Sequence, residues 1–139
     1  MINKNDLYIY DIPEFTQDLF RMGNSTWPAF TEERAHSDVI IVNMEGIDMV
    51  IANGNGFSAF NYITPIMKRP NKKIWKIKKG GIIPPGLRLA EDMRAGHEGH
   101  FMIVPEQDMP LKKYLGLLEE LGMDRTSVEL LRQSEIEHA

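Results

Sequence analysis

Residues 80–109 read GGIIPPGLRLAEDMRAGHEGHFMIVPEQDM, and this stretch decides the fold. The paired prolines at 84 and 85 stop one segment, because proline has no amide donor and pushes its preceding residue into extended backbone. An apolar run resumes at Leu87–Leu89. His100 opens a second strand-like run, HFMIV, which ends before Pro105. Beyond it, Leu111, Tyr114, Leu115, Leu118 and Leu121 share one face at helical spacing. Asp108 suits an N-cap, Pro110 the first turn and Gly122 the stop. Two strands therefore hand over to a helix.

Moving upstream, IWKIK at 74–78 alternates and predicts a strand. FSAFNYITPIM at 57–67 reads as a short helix that Pro65 interrupts. Before it, Asn53-Gly54-Asn55-Gly56 is a sharp break, since glycine and asparagine tolerate positive φ. Val39–Val42 and Ile47–Ile51 flank Glu45-Gly46, a credible hairpin. Residues 24–38 read as a loop with one helical turn, and 7–12 and 18–22 as short apolar pieces. Downstream, Thr126-Ser127-Val128-Glu129 has the form of a capping box and predicts a last amphipathic helix. Strands fill the first two thirds and helices close the chain. That is an α+β pattern, and 139 residues suit one domain with a real core.

Composition narrows the function. The formal net charge is −4 and the pI about 5.6, which disfavours broad charge-driven binding to nucleic acid or an anionic membrane. One local exception is the run Lys68, Arg69, Lys72, Lys73, Lys76, Lys78 and Lys79. It reads either as a solvated strand and turn or as a basic rim that attracts phosphates. No cysteine is present, so disulfides, thiolate nucleophiles and zinc–thiolate sites are excluded. No apolar run is long enough to span a bilayer, and MINKNDLYIYDI lacks the basic and apolar regions of a signal peptide. Export would need another route.

Several side chains could carry chemistry. Ser58 follows the glycine break, where its hydroxyl can cap a helix or face a ligand near the glycine backbone. The segment does not match G-x-S-x-G. His100 is either a hydrogen-bonded structural residue or a catalytic one. His97 lies three residues away, but Gly96 and Gly99 argue against a helical metal pair, and no metal is expected. Arg21 lies in an apolar run, as a snorkelling residue or as a buried cation awaiting an anion. Glu106 and Asp108 could act as general bases, though a turn and an N-cap want acids there anyway. Trp27, Phe30, Phe57, Phe60 and Tyr62 could stack on a flat ligand or fill the core.

Taken in order, Ile83-Pro84-Pro85-Gly86-Leu87, Asp92, His100-Phe101, Ile103, Pro105 and Met109 resemble the C-terminal signature of small type VI secretion effector toxins with an ADP-ribosyltransferase-like fold. Gly56-Phe57-Ser58-Ala59-Phe60 resembles the family's glycine–x–serine–x–phenylalanine segment, and Leu19-Phe20-Arg21 its leucine–aromatic–arginine. The resemblance implies a split, mostly antiparallel β core with short helices and a helical C-terminus, gripping NAD⁺ in a cleft. By this analogy Arg21 holds the diphosphate or the nicotinamide ribose. Ser58 sits near the nicotinamide within a binding segment of Gly56, Phe57, Ser58 and Phe60, and His100 lines the cleft as the third group. ADP-ribose would pass to a cytoplasmic acceptor or to water. The resemblance also implies a cognate immunity protein, and action in the target cell's cytoplasm after delivery. Two departures stand out: Phe57 replaces a hydroxyl residue that the family can carry, and no glutamate has an assured position, leaving His100 or an acid such as Glu106 as third group.

Two other classes fit the residues. One is a toxin independent of NAD⁺, such as a ribonuclease using His100 and basic side chains. The other is a non-enzymatic interaction domain with the acidic tail helix as its contact face.

Overall fold

The computed structural model describes residues 2–139. In chain order the strands and helices are β1 (Leu7–Tyr10), β2 (Leu19–Gly23), α1 (Glu32–Asp38), β3 (Ile41–Met44), β4 (Ile47–Val50), β5 (Phe57–Phe60), β6 (Lys73–Ile77), β7 (Leu87–Asp92), β8 (His100–Pro105), β9 (Met109–Pro110), α2 (Leu111–Met123), β10 (Val128–Leu130) and α3 (Gln133–Glu137). Seven strands form one sheet in the order β1-β7-β8-β5-β2-β6-β10, and β3-β4-β9 form a second. Every strand pair is antiparallel. This is the α+β architecture expected, with antiparallel sheets, short helices and a helical C-terminal part.

The residues of 80–109 make the turns that their chemistry demands. Leu87 N donates to Pro84 O at 3.0 Å, closing the turn that launches β7. Gly86 there has φ 106, which only glycine adopts without strain. Beyond the turn, β7 and β8 pair from Leu87 opposite Pro105 to Glu91 opposite Phe101. The predicted hairpin forms between β3 and β4. Glu45 (φ 52) and Gly46 (φ 84) both take positive φ, as a two-residue hairpin turn requires.

The main core lies on one face of the larger sheet. Leu19, Phe57, Leu89, Phe101 and Ile103 pack there with Phe30 and with Tyr114 and Leu118 of α2. Burial of each large apolar side chain contributes about 1.5–3 kcal/mol. Leu111, Tyr114, Leu118 and Leu121 are the buried face of α2, as the spacing predicts.

Five local expectations are corrected. FSAF is strand, not helix: Phe57 and Ala59 are buried while Ser58 and Phe60 are half-buried, a period of two. Within 57–67, only Ile66–Lys68 makes a helical turn, of the 3-10 type. Thr126–Glu129 does not start a helix either. Asp124 accepts hydrogen bonds from the hydroxyls of Thr126 and Ser127, turning the chain so that β10 pairs with β6. The last helix comes later, as α3. Asp108 is not the N-cap of α2. That position is Pro110, and Asp108 Oδ1 accepts from Ala52 N at 2.8 Å. The single helical turn of 24–38 is a seven-residue helix, α1, capped by Thr31 Oγ1 accepting from Arg34 N. The first hairpin strand begins at Ile41, with Val39 serving as the C-cap of α1.

One detail of the pairing positions everything that follows. β2 pairs with β6 over five residues, but with β5 through the single pair Phe20–Phe60. Beyond that pair the two strands part, and the sheet splits.

Candidate functional site

A hollow of about 460 Å³ opens where β2 and β5 part, and Arg21, Ser58, Phe60, Arg34, Lys72 and Lys73 contribute to its lining. The volume falls in the range of small-molecule sites. The chain after β2 forms one wall. There Asn24 Oδ1 accepts from Thr26 N, Thr26 Oγ1 and Trp27 N, and Asn24 O accepts from Trp75 Nε1 at 2.7 Å. Two lining residues that are not glycine, Ala29 (φ 60) and Asn71 (φ 66), are held in the left-handed region. Such strain persists only where the surroundings over-determine it, and it clusters at functional sites.

Arg21 spans the split. Its side chain leaves β2 on the core face and is only 7% exposed. Nε donates to Pro28 O at 2.8 Å and Nη1 to Ser58 O at 2.7 Å. The guanidinium carbon lies 4.6 Å from the Phe30 ring centre and 5.2 Å from that of Phe57, where the ring quadrupoles favour a cation. Burial pushes its pKa down to about 10, so it stays charged at neutral pH. Among the described residues no carboxylate pairs with it within 4.0 Å. Nη2 has no acceptor among the described residues, whereas every fully buried side-chain nitrogen and oxygen has one. Nη2 is therefore not fully buried, and Arg21 is one of the residues that line the hollow. The result is a fixed cation, without a carboxylate partner among the described residues, in the lining of an open space.

Ser58, His100 and Asp92 come together through strand register. Phe60 lies opposite His100 and Ser58 opposite Met102, so the alternate residues Ser58, Phe60, His100 and Met102 share a face. Ala90 lies opposite Met102, which puts Asp92, two residues on, beside His100. Ser58 Oγ and His100 Nε2 are 2.8 Å apart, and His100 Nδ1 is 2.8 Å from Asp92 Oδ2. The imidazole stacks on Phe60 with ring centres 5.0 Å apart.

Asp92 fixes the protons of this chain. Its side chain is fully buried, and Arg94 grips it with Nε on Oδ1 at 3.0 Å and Nη2 on Oδ2 at 2.8 Å. The Arg94 guanidinium, with a further contribution from His100, holds the carboxyl well below the usual carboxylate range. An ionised carboxylate only accepts, so Nδ1 of His100 donates. In the neutral ring Nε2 is then the acceptor, and the Ser58 hydroxyl donates to it.

Of the other predicted residues, only Phe60 shares the lining of the hollow. His100 stands behind Ser58 and, among the described residues, is not part of the hollow's lining. Gly56 packs against the backbone carbonyl of Ile103, and Phe57 faces the core. Phe60 lines the hollow, whereas Trp27 packs against the core and Tyr62 is exposed at the edge of Phe60. Glu106 pairs with Arg88 at 3.1 Å and lines a second hollow with Asp11 and Pro85, apart from Arg21 and Ser58. Asp92, His97 and His100 offer three donor atoms within 4.8 Å of one another. The Arg94 guanidinium already takes both Asp92 oxygens, and a metal cation would meet that charge head-on.

Sequence reasoning missed Asp92 as a partner of His100, and Arg34, Lys72 and Lys73 as lining. The lysines lay in a visible basic run. For Asp92 the signal was alternation in LRLAED, which is useful only once the register with β8 is known.

An antiparallel sheet that opens beside a buried arginine, with short helices and a helical C-terminal part, is an ADP-ribosyltransferase-like architecture. The Tse2 ADP-ribosyltransferase toxin family matches residues 17–130, and the chain belongs to that family. The match takes in β2 through β10, and with them every residue named at the site. Among curated proteins nothing matches the chain. Among the described residues no helix is long and apolar enough to cross a membrane.

Proposed function

We propose that the chain is a toxin that binds NAD⁺ in the hollow between β2 and β5 and transfers ADP-ribose to a cytoplasmic acceptor, with hydrolysis as the default when no acceptor is bound. The observation that carries this reading is that Arg21, a buried guanidinium with no carboxylate partner among the described residues, lines the same hollow as Ser58. NAD⁺ is the donor substrate. Its diphosphate needs cations, and Arg21, Arg34, Lys72 and Lys73 gather there in a chain whose net charge is −4. Guanidinium groups and lysines are the natural partners of phosphate oxygens. Phe60 offers an apolar ring against which a nicotinamide or adenine can lie.

The chemical demand is positioning and charge. Breaking the nicotinamide–ribose bond develops positive charge on the sugar, and the site must hold the sugar and stabilise that charge. No carboxylate lines the hollow among the described residues. Ser58, Asn24 and Asn71 are the residues with neutral side-chain oxygens in the lining, and the Ser58 hydroxyl donates to His100. On this reading a cognate immunity protein protects the producing cell by covering the hollow, and delivery uses a secretion apparatus that needs no signal peptide.

The test is NAD⁺ consumption by the purified chain, with wild type and His100→Ala compared side by side. Wild type releases nicotinamide and the variant, whose Ser58 loses its hydrogen-bond partner, is about tenfold slower or more, the scale of one lost hydrogen bond at the site. Equal rates, or no consumption and no NAD⁺ binding by wild type, would reject the reading.

A further inference from the structure

We infer that the acceptor of ADP-ribose is a nucleic-acid strand, and that the atom modified is an oxygen of its terminal phosphate. The inference rests on the NAD⁺ reading above and deepens it, because it names the acceptor.

The net charge of −4 hides a segregation. Residues 49–90 hold eight lysines and arginines and no aspartate or glutamate, a charge of +8 against −12 in the rest of the chain. The fold sets part of this segment around the hollow, where Met67, Asn71, Lys72 and Lys73 contribute to the lining, and α1 adds Arg34. Arg69 is exposed and lies between Met67 and Asn71 in sequence. Among the described residues no carboxylate comes within 4.0 Å of Arg34, Arg69, Lys72 or Lys73, whereas Lys76 is paired with Glu129 at 3.0 Å. The diphosphate of a dinucleotide neutralises only part of this charge, and the rest favours a second anion.

An aromatic ring says which kind of anion. Tyr62 is 46% exposed and stands edge-on to Phe60 of the lining, with ring centres 5.9 Å apart. An exposed ring beside a cationic hollow is a platform on which a base of a single strand stacks. A phosphorylated peptide has no base to lay there.

The lining also bears on how the acceptor is activated. A hydroxyl acceptor sheds a proton as it attacks and needs a base placed to take it. Among the described residues neither a carboxylate nor an imidazole is part of the lining. A terminal phosphate needs no base: its second pKa is about 6, so it is mostly a dianion at neutral pH.

The step balances without a proton transfer. A phosphate oxygen forms a bond to the anomeric carbon of the nicotinamide ribose as the carbon–nitrogen bond breaks. The electron pair of that bond leaves with nicotinamide, whose ring becomes neutral. The phosphate passes from a monoester dianion to a diester monoanion, so total charge is conserved. The cations hold donor and acceptor together against their mutual repulsion.

The experiment incubates the purified full chain with NAD⁺ and a single-stranded oligoribonucleotide phosphorylated at one end. The same strand ending in a hydroxyl, and a phosphoserine peptide, are the comparison arms. Mass spectrometry locates ADP-ribose while nicotinamide release is timed. We expect ADP-ribose on the terminal phosphate, protection of that phosphate from phosphatase, and release at least about tenfold faster than with water alone, within what a positioned nucleophile supplies. Strand affinity should fall with salt on a log–log slope of about −3, as four neutralised phosphates require. At saturating NAD⁺, Arg69→Gln should raise the KM for the strand about threefold and Tyr62→Ala about tenfold. Lys112→Gln, the same change of charge on an exposed position of α2, should leave it unchanged.

Nicotinamide release with ADP-ribose passing only to water, to the hydroxyl-ended strand or to the peptide would overturn the acceptor and leave the NAD⁺ reading standing. Strand binding by a chain that neither binds nor consumes NAD⁺ would overturn the NAD⁺ reading and the transfer with it. A strand KM indifferent to Arg69, Tyr62 and salt would overturn the binding surface.

Discussion

The side chain of Arg21 and the backbone carbonyl of Ser58 are joined across the gap between two strands by a 2.7 Å hydrogen bond. The sheet is therefore split, yet held at a fixed opening, and the clamp is a charged group. Arg21→Ala removes the clamp, leaves the Ser58 and Pro28 carbonyls short of a donor, and opens a void against Phe30 and Phe57. We expect a loss of about 3 kcal/mol by chemical denaturation. Arg21→Lys keeps the charge but cannot span both carbonyls with one ammonium. It should fold with a smaller loss and still bind NAD⁺ several-fold more weakly than wild type in a calorimetric titration.

Gly56, the residue before β5, packs against the backbone of β8. A Cβ there would overlap the Ile103 carbonyl oxygen, and Ile103 O already accepts from the Tyr114 hydroxyl at 2.7 Å. Backbone, not a flexible side chain, would have to move. Gly56→Ala should cost about 3 kcal/mol and shift Ser58, two residues on, away from His100. Thermal melting and nicotinamide release should fall together, whereas Gly116→Ala in α2, with open space around it and no positive φ, should leave release unchanged.

Asp92 predicts an acid limb. Arg94 first, then His100, depress its carboxyl pKa in the folded chain, while the unfolded value is about 4. A depressed folded pKa gives stability that is present above the unfolded value and lost as pH falls toward the folded one. Stability should therefore decline from about pH 5 downward. Asp92→Asn should flatten that part of the profile and lower the plateau at neutral pH. Denaturant midpoints at a series of pH values provide the check. An acid limb identical in both proteins would reject the assignment.

Lys72 and Lys73 lie on the rim of the hollow with Arg34. Lys72→Gln with Lys73→Gln should leave the melting temperature almost unchanged and weaken NAD⁺ binding roughly three- to tenfold at low salt. Because exposed charges are screened, the gap to wild type should narrow toward 1 M salt. A gap that does not depend on salt would mean that the lysines act by shape.

Much of the architecture was legible in the sequence. Glu45-Gly46 announced the hairpin, IWKIK and HFMIV announced strands, and the leucine spacing announced α2. Each signal is local and survives packing. The failures were places where tertiary contacts override local preference. Phe57–Phe60 is a four-residue strand whose identity depends on pairing with β8, and four residues hold too little periodicity to separate strand from helix. The capping-box pattern at Thr126 is real chemistry used differently, since Asp124 takes the hydroxyls and β6 takes the backbone. At the site, Arg21 and Ser58 could be singled out from sequence, and so could His100. What could not be read was order in depth. Only the register of β7 on β8 places Asp92 behind His100, and only the parting of β2 from β5 places Lys72 and Arg21 on one opening.

The strand order has a consequence for the cell that makes this protein. The larger sheet interleaves early and late segments, with β2 and β5 at its centre and β8 beside them. A nascent chain that has not yet emerged as far as His100 owns Arg21 and Ser58 but has no imidazole to set between Ser58 and Asp92. On the proposed reading, a translation product that stops short of residue 100 carries Arg21 and Ser58 without the imidazole that pairs with Ser58, and the maker first needs protection when the sheet closes around residue 100.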